Sequence, residues 1–161
     1  MESHEKLVSL MEHFDTAMLV TNTVDGKLEG RPMAVADLTD SGELWFVTDR
    51  HSGKVAEMVL DSEVAITMQG SSRFVSITGK ASLVDDPAKI NELWSEAWKV
   101  WFPKGKNDPS ITLIKVTPER GEYWDNSGFS GIQYMIKAGK AYIQGKPPEK
   151  DEAMNASVTM Q

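Results

Sequence analysis

The sequence predicts a mainly β protein, in which a β-barrel carries α-helices at its periphery. Stretches of alternating apolar and polar residues, such as Phe74 to Val84, recur along the chain and indicate half-buried strands. Turn sequences such as Asp25-Gly26 separate these stretches, as in hairpins. Helical periodicity interrupts the series after the third strand and after the fifth. About six antiparallel strands with short turns and inserted helices are typical of a barrel.

Composition limits the classes of protein to be considered. The chain has 161 residues, of which 40% are hydrophobic, and its formal net charge is −7. This size suits one domain, predicted over residues 1–145, with a polar, mobile tail over residues 146–161. The negative charge argues against binding to nucleic acid or to an anionic membrane surface. The chain lacks cysteine, a signal-peptide core and any apolar run near the roughly 20 residues of a membrane span, so we expect a cytoplasmic location.

The first quarter of the chain predicts one helix and two strands. Residues 4–14 form an amphipathic helix, because their apolar side chains share one face. Residues 16–23 predict the first strand. Residues 28–38 predict the second, and Pro32 within it requires an edge position, a bulge or a strand start.

The third predicted strand covers residues 44–48, whose alternation indicates a strand buried on one face. A turn then leads to Ser52, a favourable N-cap for a short amphipathic helix. The apolar positions of that helix are Val55, Met58 and Val59.

The second half of the chain predicts further strands and two more helices. Residues 74–84 alternate well, and Gly79 midway suits a bend or a bulge. Asp86-Pro87 begins a helix whose wide apolar arc extends to Phe102. The remaining predicted elements are strands over residues 64–68, 111–116 and 122–124 and a helix over residues 131–144.

One stretch, Trp45 to Lys54, combines the end of a strand with the first turn of a helix. Backbone N–H groups and the helix dipole attract anions there, and Ser52, Lys54 and Arg50 carry additional donors. The residue types therefore indicate a phosphate site. The alternative is an ordinary N-cap followed by an exposed lysine.

Four segments in this order resemble a known family: R-P-M at 31–33, W-F-V-T-D-R-H-S-G-K at 45–54, L-W-S-E-A-W-K-V-W-F-P-K-G at 93–105 and E-Y-W-D at 122–125. Together they are similar to the FMN-binding split β-barrel proteins related to pyridoxamine 5′-phosphate oxidase, in the general stress protein 26-like branch. The resemblance covers roughly residues 5–145. It implies a six-stranded antiparallel FMN-binding split barrel of Greek-key type.

The resemblance also implies a homodimer with FMN at the subunit interface. The implied roles are ring contact for Arg31, Pro32 and Met33, contact with the polar edge and ribityl chain for Thr48 and Asp49, and phosphate binding for Ser52 and Lys54. One indole, that of Trp101 or that of Trp98 with Phe102, is expected to cover the ring from the partner subunit. Two alternatives stay open: Arg31 as a solvent-facing strand charge, and Trp101 as a core or interface residue.

Two departures from the family's oxidases bear on activity. The second strand reads R-P-M-A-V-A-D rather than R-x-V-L-L-K, so Arg31 matches but Asp37 replaces a lysine. The C-terminus lacks an R-x-H substrate motif. We therefore do not expect oxidation of pyridoxamine 5′-phosphate itself.

The functional hypothesis is an FMN-binding general stress protein that acts as a flavin-dependent oxidoreductase with a small-molecule redox partner. The electron acceptor is unknown, and NAD(P)H is an example of the reductant. The alternatives are a non-catalytic flavin-binding sensor, store or interaction protein, and a barrel that binds F420 or haem. A metal site is not expected, because no two histidines have metal-ligand spacing with a carboxylate.

Overall fold

Eight antiparallel strands form one curled sheet with four α-helices around it, across the residues that the computed structural model describes: 2–145, 147 and 152–160. The helices are α1 (Ser3–Met11), α2 (Gly53–Leu60), α3 (Pro87–Leu93) and α4 (Gly128–Gln144). The strands are β1 (Thr16–Asn22), β2 (Leu28–Ala34), β3 (Asp37–Leu38), β4 (Leu44–Asp49), β5 (Glu63–Gln69), β6 (Arg73–Val84), β7 (Ile111–Asp125) and β8 (Asn155–Thr159). The predicted mainly β fold with peripheral helices is confirmed.

The strand order is β2-β1-β5-β6-β7-β4-β3, and β8 pairs with the second half of β7. Neighbours that are distant in sequence, β1 with β5 and β4 with β7, give the expected Greek-key character. Because β2 runs almost directly into β3, the two ends of the sheet meet. The Ala36 N–H, between those strands, donates to the Trp45 carbonyl at 2.8 Å. This junction brings β2 beside β4.

The predicted bend at Gly79 is present as an irregularity between β6 and β7. The pairing register shifts between Thr78 and Gly79. A Cβ atom at Gly79 would lie 2.2 Å from the Thr117 carbonyl oxygen, so only glycine fits there. The bulge lets two long strands curl around the barrel interior. Pro118 sits opposite the bulge, where the ladder is already interrupted.

Two apolar clusters lie on opposite faces of the sheet. The larger fills the barrel interior and includes Leu19, Phe46, Ile66 and Ile114. The smaller packs under α3 and contains Trp45, Ile90, Trp98, Phe102, Ile111 and Leu113. Strand β4 contributes Phe46 to one cluster and Trp45 to the other. The prediction of a half-buried strand was therefore wrong, because β4 is covered on both faces.

The helix predicted from Asp86 to Phe102 is broken in the structure. Asp86 caps α3 through the Ala88 N–H, but α3 ends at Leu93, Trp94 adopts an extended ψ of 133°, and a 3₁₀ helix follows at Glu96–Val100. In one continuous α-helix, Trp98 and Trp101 would lie on the same face. The break instead buries Trp98 and leaves Trp101 65% exposed.

The prediction of a polar tail was wrong for its last part. Residues 155–159 form β8, which pairs with β7 from Arg120 to Trp124. Met154 and Val158 are buried against the sheet. These alternating apolar positions are few, so the strand has little signal in sequence. Residues 146, 148–151 and 161 of the predicted tail lie outside the described residues.

An ion-pair cluster ties the far end of β7 to its neighbours. Asp125 accepts from Lys6 of α1 at 2.6 Å, from the Ser127 amide at 3.0 Å and from the Ser127 hydroxyl. Arg73 of β6 lies 3.8 Å away. We call Lys6, Arg73, Asp125 and Ser127 the Asp125 cluster. Burial alone raises the pKa of Asp125, but the hydrogen bonds from Lys6 and Ser127 together outweigh it and hold that pKa below 3.8.

Two further properties of the helices in the described ranges concern their length and the exposure of α4. None of them is long and apolar enough to cross a bilayer. The predicted helix at residues 131–144 lies within α4, but its apolar positions face outward. The exposed ones are Ile132, Met135, Ile136, Tyr142 and Ile143.

Candidate functional site

A cleft of about 610 Å³ opens where β2 and β4 meet the start of α2 and the 3₁₀ segment. Clefts of roughly 300–1,000 Å³ hold drug-sized ligands and cofactors. Its lining residues are Pro32, Met33, Ala34, Val47, Thr48, Asp49, Ser52, Lys54, Trp98, Val100, Trp101 and Phe102. Seven of the eight sequence-predicted site residues lie in this lining, and Arg31 does not.

Ser52 is at the N-cap position of α2, with extended backbone angles of φ −69° and ψ 150°. The sequence predicted that its hydroxyl would cap the helix, but no side-chain cap bond forms. The Oγ atom is buried and lacks a hydrogen-bond partner among the described residues. A buried hydroxyl without a partner costs free energy, so native structures rarely contain one without a functional reason. This hydroxyl lines the cleft at a helix N-terminus, where anions bind.

Lys54 follows in the first turn of α2 and is partly buried. Burial lowers its pKa below 10.5, and the nearby positive charge of Arg31 lowers it further. The charges of Asp49 and Glu57 act in the opposite direction but do not cancel these effects. An ammonium group that is partly desolvated beside a second cation is stabilised by an incoming anion. Lys54, the unpartnered Ser52 hydroxyl and the first turn of α2 thus combine a positive charge with hydrogen-bond donors, which suits an anion, and we call them the anion pocket.

The turn before α2 is fixed by Asp49. Its Oδ1 atom accepts from the His51 amide at 2.8 Å and lies 3.2 Å from His51 Nδ1. The His51 side chain is itself exposed. Thr48, the preceding residue, is buried and also lines the cleft. Together these contacts hold the polar end of the cleft in place beside the anion pocket.

Arg50 does not contribute to the anion pocket, contrary to the sequence prediction. Its guanidinium donates to the Pro109 carbonyl at 2.7 Å and to the Ile111 carbonyl at 2.8 Å. It also pairs with Asp85 at 3.2 Å. Arg50 therefore joins the end of β4 to the start of β7 and to the α3 region, which is a structural role.

Arg31 does not line the cleft. Its Nη1 donates to Thr21 Oγ1 at 2.7 Å and to the Leu19 carbonyl at 3.3 Å, and its Nη2 donates to Glu57 Oε2 at 3.2 Å. Thr21 also donates to that Glu57 oxygen, at 2.6 Å. Arg31 is thus neither a solvent-facing charge nor part of the cleft wall. Its neighbours Pro32 and Met33 do line the cleft.

The other wall of the cleft is apolar. Pro32, Met33 and Val47 form one side, and Trp98 and Trp101 belong to the opposite side. Trp98 is buried and packs edge-on against Trp94, with ring centroids 5.7 Å apart. Trp101 is exposed and stands at the cleft mouth.

Sequence reasoning missed Glu57 and several small lining residues. Glu57 is three residues after Lys54 on α2, so helical spacing places the two side chains on one face. That spacing was the available signal. Ala34 and Val47 had none, because an apolar residue on a strand belongs to a core as readily as to a cleft. Among the described residues, no group of three or more His, Cys, Asp or Glu could hold a metal ion.

Comparison with known proteins identifies relatives across almost the whole chain. The sequence profile described as pyridoxamine 5′-phosphate oxidase like matches residues 2–149. No curated protein sequence matches this chain.

Solved structures share the same architecture. General stress protein 26 from Bacillus anthracis str. Sterne is 26% identical, with 76% of this chain and 94% of that chain covered and a TM-score of 0.69. The general stress FMN/FAD binding protein from Xanthomonas citri is 27% identical, with 78% and 89% covered and a TM-score of 0.66. A heme binding protein from Mycobacterium smegmatis is 11% identical, with 99% and 59% covered and a TM-score of 0.67. At that identity the last likeness concerns the fold alone.

Proposed function

This chain belongs to the pyridoxamine 5′-phosphate oxidase-like family, and we propose that it binds FMN in the cleft between β2, β4 and α2. The phosphate is assigned to the anion pocket of Ser52, Lys54 and the first turn of α2. The ring is assigned to the apolar wall at Pro32, Met33 and Trp101, with Thr48 and Asp49 at its polar edge. The relative from Xanthomonas citri, described as an FMN/FAD binding protein, supports a flavin as the ligand.

The observation that carries the proposal is the buried, unpartnered Ser52 hydroxyl beside a partly buried lysine with a lowered pKa. Both groups lie at the N-terminus of a helix that opens into a flavin-sized cleft. A phosphate monoester supplies acceptors for the hydroxyl, the ammonium and the free backbone N–H groups together. FMN carries that phosphate, whereas riboflavin does not.

The proposed activity is electron transfer from a reductant such as NAD(P)H to a small-molecule acceptor. The flavin supplies the redox chemistry when bound. The described cleft residues bind and orient it: the anion pocket fixes one end, and the apolar wall excludes water from the ring. Oxidation of pyridoxamine 5′-phosphate is not proposed, because Asp37 stands where the family's oxidases carry a lysine.

A homodimer with the flavin at the subunit interface completes the proposal. The outer face of the β1–β2 hairpin is apolar and exposed, with Met18 opposite Pro32 and with Leu28 at its end. Pro32 also lines the cleft, so a partner subunit on this face would border the ring. Met18→Glu is expected to convert a dimer to a monomer in sedimentation velocity and to weaken FMN binding. A monomeric wild-type protein would contradict the dimer.

The proposed location is the cytoplasm. A chain without cysteine forms no disulfide bonds, and this composition is consistent with that location.

Absorption spectroscopy of the purified protein tests the cofactor. Bands near 370 and 450 nm are expected for FMN, as the family resemblance implies, and a Soret band would instead identify haem. Titration of the apoprotein with FMN and with riboflavin then isolates the phosphate contribution. Equal affinities for the two ligands would contradict the assignment of the phosphate to the anion pocket.

A second candidate is flavin binding without turnover. Among the described cleft residues, the ionisable ones are Asp49 and Lys54, and Asp49 already accepts from the His51 amide. The cleft therefore offers little for proton transfer. Steady-state NAD(P)H oxidation by the FMN-loaded protein separates the two candidates, since an absence of turnover with varied acceptors would favour the binding role.

A further inference from the structure

The Arg31–Glu57 pair lies directly behind the anion pocket. Glu57 follows Lys54 by three residues on α2, so the carboxylate and the ammonium share one face of the helix. Both Arg31 and Glu57 are close enough to change the pKa of Lys54, in opposite directions. Resting on the proposed function, we infer that Glu57 determines the phosphate affinity of this site. It withholds the Arg31 guanidinium from the ligand and offsets the charge of Lys54.

The contacts show how Arg31 is held. Glu57 Oε2 accepts from Arg31 at 3.2 Å and from the Thr21 hydroxyl at 2.6 Å, while Thr21 Oγ1 accepts from Arg31 at 2.7 Å. The Arg31 and Glu57 side chains are only 20% and 13% exposed, so water screens the pair little. Arg31 directly precedes Pro32, a cleft residue, so its backbone already lies at the cleft wall. A long side chain in that position can reach the pocket if its carboxylate partner is neutralised.

The position of α2 does not depend on Glu57 alone. Asn22 of β1 donates to Asp61, the C-cap residue of α2, at 3.0 Å. Val55 and Met58 also pack this helix against the barrel. Replacing the Glu57 carboxylate by an amide therefore changes the charge while α2 keeps its place. Glu57→Gln retains an oxygen that can accept from Thr21, while the charge-assisted bond that holds Arg31 is lost.

The test compares phosphate-bearing and phosphate-free ligands. In Glu57→Gln, FMN affinity is expected to rise about tenfold, because a negative charge near the phosphate is removed and Arg31 is released. Riboflavin affinity is expected to stay unchanged, since riboflavin carries no phosphate. Glu12→Gln, at the exposed C-cap of α1, makes the same change in net charge and should alter neither affinity.

A double-mutant cycle separates the release of Arg31 from the general loss of charge. In an Arg31→Gln background, the gain from Glu57→Gln is expected to shrink to about half or less on a logarithmic scale. An equal gain in both backgrounds would overturn the role of Arg31. Unchanged or weaker FMN binding by folded Glu57→Gln, or a parallel change for riboflavin, would overturn the inference as a whole.

An experiment with inorganic phosphate tests the role of Glu57 independently of FMN binding. Phosphate should raise the Tm of each variant, and the rise should be larger for Glu57→Gln than for wild type, each measured against its own phosphate-free baseline. If wild type responds to phosphate but binds neither flavin, the proposed function fails, and the phosphate response of Glu57→Gln then decides the inference alone. If the response of Glu57→Gln does not exceed that of wild type, the inference fails whatever the flavin result.

Discussion

Two charged regions of this molecule differ in how completely their polar groups are satisfied. In the Asp125 cluster, one buried carboxylate accepts from Lys6 and Ser127, and its pKa is held below 3.8. In the anion pocket, the Ser52 hydroxyl is buried without a partner, and the pKa of Lys54 is lowered by burial and by Arg31. The first arrangement stabilises the fold. The second leaves the Ser52 hydroxyl and the Lys54 charge available to a ligand.

The difference shows how polar groups that are satisfied within the fold can be separated from polar groups that remain available to a ligand. Both regions contain a cation beside polar atoms that are buried or partly buried. Only the anion pocket opens into a large cleft with an apolar wall. The direction of the pKa change also distinguishes them, since the charged form is favoured for Asp125 and disfavoured for Lys54.

The largest expected effect concerns the satisfied region. Asp125→Ala should lower the free energy of unfolding by about 3–5 kcal/mol, because Lys6 then loses the partner of a buried ion pair. Urea denaturation measures this loss, with the exposed Asp40→Ala as a control that should change little. An effect below about 1 kcal/mol would show that the cluster resembles an exposed salt bridge instead.

The same residue sets a dependence on pH. The folded-state pKa of Asp125 is depressed, so its contribution is present above the ordinary value of 3.8 and is lost as pH falls through the folded pKa. Wild type should therefore lose more stability on acidification than Asp125→Asn. Parallel curves of stability against pH for the two proteins would contradict this contribution.

An intermediate effect is expected for ligand binding at Lys54. Lys54→Met keeps the aliphatic stem and removes the charge, so FMN binding should weaken by about 1.5–3 kcal/mol while riboflavin binding is retained. Stability should not fall, because burial already disfavours the charged form. The exposed Lys80→Met is the matched control.

The pKa of Lys54 is lowered, so its charge is lost at a lower pH than that of an ordinary lysine, whose pKa is 10.5. Wild-type FMN affinity should therefore begin to fall below that pH.

The smallest effect is expected for replacement of Ser52. This change should weaken FMN binding but should not destabilise the ligand-free protein. Ser52→Ala should weaken FMN binding by about 0.5–1.5 kcal/mol through loss of one hydrogen bond. The ligand-free protein should be as stable as wild type or slightly more stable, since a buried hydroxyl without a partner is removed. Thermal unfolding with and without FMN measures both. A clear loss of stability without ligand would indicate that the hydroxyl has a structural partner.

The predicted site residues that line the cleft are mostly those whose position is set by their own strand or helix. Ser52 and Lys54 follow a strand end and begin a helix, so their placement depends on neighbours within a few residues. Pro32 and Met33 lie on the predicted second strand. The side chains that do not line the cleft are held by distant residues: Arg50 by Pro109 and Ile111, and Arg31 by Glu57. Which partner a long side chain selects is decided by packing across the fold.

By itself, the sequence determined the order of the elements from α1 to α4, apart from the break after α3, and the placement of Ser52 and Lys54 at the start of α2, because periodicity and turn residues act over short distances. The tertiary structure decided three further features. It ended α3 at Leu93 so that Trp98 is buried and Trp101 is exposed, it paired β8 with β7, and it turned Arg31 toward Glu57. In each case, contacts with residues far along the chain outweigh a local preference. Such contacts exist only once the barrel has closed.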